Sequence, residues 1–177
     1  MQKLSMDQLQ RPSLEAFQTQ DRLPVTLVLD NVRSMHNVGA AFRTADGFAI
    51  ERILLCGITA TPPHREIEKT ALGATRSIPW EYVDDTTAAI QELRTAGYRI
   101  IGVEQAEGSI PLQEFNPVPG EKYALIFGNE VHGVSDAAME TLDACIEIPQ
   151  SGTKHSLNVT VSMGIVLWDI YAKHHFS

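Results

Sequence analysis

The sequence predicts an α/β protein, a mostly parallel six-stranded sheet with helices on both faces. Two observations predict it. Short apolar runs rich in Val, Ile and Leu alternate along the chain with stretches whose apolar residues recur at helical spacing. The 177 residues, 44% hydrophobic and 20% charged, also have ordinary globular composition and suffice for one domain with a substantial core.

Residues 1–23 read as a short helical or irregular lead-in, and residues 24–177 as the domain. Val25-Thr26-Leu27-Val28-Leu29 is the first buried strand. A helix follows from about Asn37, its expected N-cap, to Phe48, with Val38, Phe42 and Ala45 as its apolar stripe. Arg52 to Ile58 is the second strand, and a short helix runs from about Arg65 to Leu72. Ser77 to Val83 is the third strand. Asp84 or Asp85 caps the next helix, which carries Ala89, Ile90 and Leu93 and stops at Gly97. Arg99 to Glu104 is the fourth strand, and a Pro-rich connector, Pro111 to Pro119, leads to the fifth, Tyr123 to Phe127. Ser135-Asp136 opens a short helix to Leu142, and Cys145 to Ile148 is the sixth strand. The last helix spans about Ser156 to His174, with Leu157, Val161, Ile165, Trp168 and Ala172 as its apolar stripe. Gly164 inside it costs about 1 kcal/mol relative to Ala and points to close backbone packing, which another chain could supply.

Several classes lose support at once. No Gly-x-Gly-x-x-Gly follows the first strand and no Walker loop occurs, which argues against a dinucleotide or P-loop enzyme. No apolar run approaches a membrane span, and Met1 to Pro24 does not resemble a signal peptide, so a cytoplasmic protein is expected. Cys56 and Cys145 lie in apolar runs and read as small buried hydrophobes. The six histidines lack ligand spacing, so no metal is expected. The net charge of −8 argues mildly against an extended nucleic-acid surface. It is uneven, however: residues 1–100 hold 11 Lys and Arg against 12 Asp and Glu, whereas residues 101–177 hold 3 against 10. A local basic face among Arg11, Arg22, Arg33, Arg43, Arg65 and Arg76 stays open.

Three polar, glycine-containing segments stand where apolar runs end, the place where open α/β sheets bind ligands. In the first, His36 to Arg43, Arg43 leans back over Gly39 toward the positive start of its own helix. That arrangement invites an anion, phosphate or carboxylate; the alternative is that Arg43 pairs with Asp46 and Asn37 merely caps. In the second, Phe127 to Gly133, Gly128 permits close approach of a ligand to backbone, or the segment is an Asx-type turn. In the third, Ile148 to Asn158, Pro149 ends a strand and Ser156 and Asn158 stand at the first turn of the last helix, where simple capping is the alternative.

Taken together and in order, Asn37-x-Gly39-x-x-x-Arg43, Phe127-Gly128-Asn129-Glu130-x-x-Gly133, and Ile148-Pro149 with Ser156-Leu157-Asn158-Val159 resemble the SpoU (TrmH-like) branch of the SPOUT RNA methyltransferases, over about Val25 to Tyr171. The resemblance implies a SPOUT methyltransferase domain with a C-terminal deep trefoil knot, which no periodicity would reveal. It also implies S-adenosylmethionine as cofactor, a homodimer, and methylation of a ribose 2′-hydroxyl in tRNA or rRNA. By similarity, Gly128, Ile148 and Leu157, with Val103 and Glu104 as weaker candidates, would line the cofactor pocket. Arg43, Asn37, Glu130, Ser156 and Asn158 would surround the reacting ribose.

The chemistry agrees. Methyl transfer from a sulfonium requires in-line placement, and the hydroxyl must lose its proton. The resemblance suggests an arginine deprotonated with help from an RNA phosphate. A guanidinium pKa above about 12 makes that difficult. The preferred role for Arg43 is to hold the phosphate and stabilise the developing alkoxide. His36 is a weaker candidate for a proton relay. With only a short lead-in, a dimer combining two arginine faces would fit a compact structured target, which slightly favours tRNA. Two other readings stay open: a non-catalytic RNA-binding or assembly factor with the same fold, and an RNA base methyltransferase.

Overall fold

The computed structural model describes residues 1–5, 7–9 and 11–176; residues 6, 10 and 177, the last being the end of the expected domain, lie outside it. Six helices and seven strands follow in order: α1 (Leu14–Thr19), β1 (Leu23–Asp30), α2 (Met35–Gly47), β2 (Ile50–Cys56), α3 (Arg65–Ala71), β3 (Trp80–Val83), α4 (Thr86–Thr95), β4 (Tyr98–Val103), β5 (Ile110–Pro111), β6 (Lys122–Phe127), α5 (Asp136–Met139), β7 (Ala144–Glu147) and α6 (Val159–Phe176). The strands form one sheet in the order β3-β2-β1-β6-β4-β7-β5, and every pairing is parallel.

The sheet has seven strands, not six. The extra one, β5, lies where a Pro-rich connector was expected. It is two residues long and pairs only with β7. Proline is admissible on such an edge, where its missing N–H leaves no ladder bond unmade.

Both faces of the sheet are covered, which explains why the central strands read as continuous apolar runs. Along β1 the residues alternate between two cores. Val25, Leu27 and Leu29 face the larger one, with Val38, Phe42, Met163 and Leu167 of α2 and α6. Val28 faces the smaller, with Ala89, Ile90 and Leu93 of α4. The lead-in also contributes, because Phe17 of α1 is buried in the larger core and the Arg22 guanidinium lies 5.1 Å from the centre of its ring. Cys56 is fully buried. Burial, with Asp30 nearby, pushes its thiol up to about 12, so it is an inert packing residue.

Two helix starts differ from expectation. Ser34, not Asn37, caps α2, its side chain accepting from the Asn37 N–H, which leaves the Asn37 amide free for other partners. The last helix begins at Val159 rather than Ser156. Asn158 takes the cap position: its carbonyl accepts from the Ser162 N–H and its side-chain oxygen from the Thr160 N–H.

The stripe expected to bury α6 is its outer face. Val161, Ile165 and Trp168 are exposed, and Leu157 just before the helix is too, whereas Met163, Val166, Leu167 and Ile170 face the core. Apolar residues surround this helix, so periodicity could not tell which side the core would take.

Gly39 is spent on packing. A Cβ there would collide with the Thr70 side chain and the Ile67 carbonyl, so α2 and α3 approach closely only because residue 39 has none. Gly39→Ala should therefore cost about 2 kcal/mol through overpacking. Thermal denaturation should show a fall of about 4–8 °C in Tm; an unchanged Tm would contradict the close approach.

Candidate functional site

The four neighbouring strands β1, β6, β4 and β7 all end on the same side of the sheet, and their exit loops converge there. Between the last three lies an open cleft of about 760 Å³. Its walls come from residues 103–106 after β4, 127–134 after β6, and 147–150 and 155–159 around the loop after β7. This is the carboxyl end of a parallel sheet, where such folds place their ligands. The volume suits a small organic molecule.

The β6 exit is built around two residues. Asn129 forms an Asx-type turn, its side-chain oxygen accepting from the Val131 N–H (2.8 Å), and its amide donates to the Asn31 carbonyl (2.7 Å). Gly133, at φ 69°, closes the turn through paired backbone hydrogen bonds with Asn129. Gly128 was expected to admit a ligand to the backbone. Its missing Cβ instead makes room for the backbone of Gly133 and Val134, although Gly128 also lines the cleft.

Glu130 joins this loop to the start of α2. One carboxylate oxygen accepts from the Arg33 N–H (3.0 Å). The other accepts from the Ser34 N–H (3.0 Å) and the Asn37 amide (2.8 Å). The anion expected at the positive helix start is thus the chain's own carboxylate. Partial burial opposes the ionisation of Glu130, but the hydrogen bonds from Arg33, Asn37 and Ser34 together outweigh it and hold the carboxyl below its ordinary value. The Asn37 side-chain oxygen in turn accepts from the Asn158 amide at 3.3 Å. One hydrogen-bonded chain, Glu130–Asn37–Asn158, therefore links the three sequence segments.

Asp30 supports the same corner from below. It is 1% exposed, and its carboxylate accepts from Thr86 Oγ1 (2.6 Å), the Asn31 amide (2.8 Å) and the Ser135 N–H (2.8 Å). The end of β1 is thereby tied to the residue before α5. Nothing in the sequence patterning singled out Asp30, because an acid closing a strand is also the usual start of a loop.

Of the expected cofactor residues, Val103, Glu104, Gly128, Ile148 and Leu157 all line the cleft. Glu104 accepts from the Val134 and Gln105 N–H groups, which ties the β4 and β6 exits together. Glu130, Ser156 and Asn158 line the cleft as well, and Asn37 reaches it through its hydrogen bonds. Arg43 does not line it. It is exposed on α2, about 12 Å along the axis from Met35, and forms no ion pair among the described residues; Asp46, its suggested partner, accepts from Ser77 instead. His36 holds Glu66 at 2.7 Å, a structural contact between α2 and α3. Gln105, His132, Gln150 and His155 also line the cleft and were not foreseen. The Gln105 amide donates to the His155 carbonyl (2.7 Å), a pairing across 50 residues that no local pattern signals.

The carboxylate at the centre of this network makes stability depend on pH. Because its folded pKa is depressed, the contribution of Glu130 is complete above the ordinary value of 4.5 and is lost as pH falls through the lower folded value. Glu130→Gln should be less stable than wild type at neutral pH. In urea denaturation the gap should narrow once pH drops below 4.5. A gap constant down to about pH 3 would show that the carboxylate is not held by these donors.

The model of the SpoU rRNA Methylase family matches residues 24–168. The 23S rRNA (guanosine-2′-O-)-methyltransferase RlmB of Neisseria meningitidis is 33% identical over 144 residues, covering 81% of this chain and 56% of that protein. Among solved structures, the A. aeolicus TrmH/SpoU tRNA modifying enzyme superposes with a TM-score of 0.78 at 26% identity, over 90% of this chain and 79% of that one. The AdoMet-bound rRNA methyltransferase of Sinorhizobium meliloti gives 0.79 at 28% identity, over 95% and 63%. The chain spans 56–64% of the length of the curated relatives it matches. The sheet shares its architecture with these structures, and the family match covers the cleft and all three segments around it: this chain belongs to the SpoU rRNA methylase family.

Proposed function

We propose that this chain methylates a ribose 2′-hydroxyl of tRNA or rRNA with S-adenosylmethionine, and that tRNA is the favoured class. The observation that carries the reading is the Glu130–Asn37–Asn158 chain, which gathers three distant segments at the mouth of one cleft. Arg43, on the helix that carries Asn37, is exposed and without an ion pair among the described residues, which binding alone would not require.

The cleft fits the cofactor. Its size is right, and Val103, Ile148 and Leu157 offer apolar walls among backbone groups able to hydrogen-bond. A relative named as AdoMet-bound supports the choice. When bound, the cofactor supplies a methyl group on a sulfonium. The chain's own residues position the acceptor. Glu130 has its oxygens occupied by three N–H donors and a depressed pKa, so it is a positioning group and a poor base. Ser156 and Asn158, both on the cleft wall, would hydrogen-bond the ribose. Arg43 clamps the neighbouring phosphate through its planar fork and stabilises the alkoxide as the proton leaves.

Trefoil threading of the segment from β7 to α6 and a domain spanning residues 24–177 belong to the same proposal, as does a cytoplasmic location. Among the described residues no helix is long and apolar enough to cross a membrane, and no group of three or more His, Cys, Asp or Glu could hold a metal. A homodimer is proposed through the outer face of α6. Val161, Ile165 and Trp168 are exposed there, and Gly164 meets nothing within 4 Å of an added Cβ, which leaves room for a second backbone.

Nucleoside mass spectrometry of tRNA and rRNA from wild-type and deletion cells tests the activity. One 2′-O-methylated nucleoside should disappear. Loss of a base methyl instead would identify a base methyltransferase, and no change would leave an assembly factor. Arg43→Lys keeps the charge but not the fork, so turnover should fall at least about tenfold with cofactor affinity unchanged. Trp168→Glu should sediment as a monomer, and a variant that stays dimeric would place the interface elsewhere.

A further inference from the structure

Among the described residues five of the fourteen Lys and Arg form ion pairs; of the other nine, Lys3, Arg11 and Arg22 lie in or near the lead-in, Lys154 lies in the loop after β7, and five surround α2 and α3. Arg52, Arg94, Arg99, Lys122 and Lys173 each form an ion pair with a carboxylate. Arg33, Arg43, Arg65, Lys69 and Arg76 are exposed, and none forms an ion pair among the described residues. All five belong to α2, α3 or the segments that flank them.

Their placement follows from how the two helices meet. His36, Gly39, Arg43 and Asp46 follow one another at intervals of three or four residues and so form one stripe of α2. His36 holds Glu66, Gly39 abuts Thr70 and Asp46 accepts from Ser77. Arg43, between Gly39 and Asp46 on that stripe, therefore lies beside the turn from Ala71 to Arg76. Glu66, Ile67 and Thr70 turn toward α2, so Arg65 and Lys69, four residues apart, share the outer face of α3. Three carboxylates on this seam already have side-chain partners: Asp46 has Ser77, Glu66 has His36 and Glu68 has Thr75. With Glu130, which accepts from the Arg33 N–H, five cations stand against four carboxylates here, a local positive excess on a chain whose net charge is −8.

We propose that the surface along the α2–α3 seam, including the outer face of α3, is where an RNA phosphodiester backbone docks, with Arg65, Lys69 and Arg76 taking phosphates that flank the one held by Arg43. This inference rests on the reading of Arg43 as a phosphate clamp. A strand of regularly spaced anions complements unpaired cations along a seam, and binding releases counterions without breaking protein ion pairs. Such contacts hold and orient the RNA without reading its sequence.

The test is binding of fluorescein-labelled bulk tRNA and rRNA fragments, prepared from a deletion strain, to the full chain at several salt concentrations. The triple variant Arg65→Ala, Lys69→Ala, Arg76→Ala should weaken binding at least about tenfold near 0.1 M salt. It should also reduce the slope of log affinity against log salt by about 2–3, since each phosphate contact contributes about 0.7–0.9. Lys69→Glu alone, an exposed change on α3, should weaken binding as well. The Arg99→Ala, Lys122→Ala pair, drawn from the ion-paired group, should bind as wild type. Calorimetric titration with S-adenosylmethionine should be unchanged in every variant, which shows the cleft intact.

Wild-type affinity and slope in the triple variant would overturn the seam, as would an equal loss in the ion-paired control. If wild type meanwhile methylates either pool, the proposed activity stands without the seam. If wild type methylates neither pool yet binds RNA through these residues, the seam stands and the activity falls.

Discussion

A carboxylate that gathers backbone N–H groups from a neighbouring loop holds this molecule's working corner together. β1 and β6 are adjacent parallel strands, so their exits emerge side by side, each with amide groups that no ladder bond can satisfy. Glu130 meets that need for the β1 exit and sets a negative charge at the positive start of α2. Because Ser34 already caps the helix, the Asn37 amide is released to complete the carboxylate's shell and to hold Asn158. Removing the carboxylate would cost more than three hydrogen bonds, since it would leave the Arg33 and Ser34 N–H groups and the Asn37 amide without their partner.

A second carboxylate makes the first one effective. Asp30 is almost fully buried, and three donors from three different segments satisfy its carboxyl oxygens. It holds the far end of the β6 exit loop, while Asn129 holds the near end to Asn31. Glu130 is thus carried by a loop pinned on both sides. The cleft needs this rigidity, because transfer between two bound molecules depends on placement to fractions of an ångström.

The surface follows the same economy. The acidic excess lies mostly beyond residue 100, where Lys122 and Lys173 are ion-paired, while among the described residues the cations around α2 and α3 form no ion pairs. On the other side of α2, α6 is apolar all round and buries only one of its faces in the protomer. One charged and one apolar surface remain available on either side of the helix that carries Arg43, and both proposed partners, RNA and a second chain, would meet near it.

The alternation of strands and helices, the boundaries of most elements to within a few residues, and the order of the three loop segments were legible in the sequence, because apolar periodicity and glycine and proline punctuation are local signals. The same periodicity could not show which face of α6 turns inward, since both are apolar, or reveal β5, whose two residues carry no pattern. Nor could it show that Ser34 would cap α2 in place of Asn37, or that Gly39 and Gly128 would be spent on the chain's own packing. Those outcomes depend on which strands become neighbours. Only when β1, β6, β4 and β7 lie side by side do residues roughly 30 to 105 positions apart come within hydrogen-bonding distance. The sequence by itself determined which residue types stand at the strand ends. The tertiary structure alone decided which of them meet, because that depends on the threading of the sheet and on every buried polar group finding a partner.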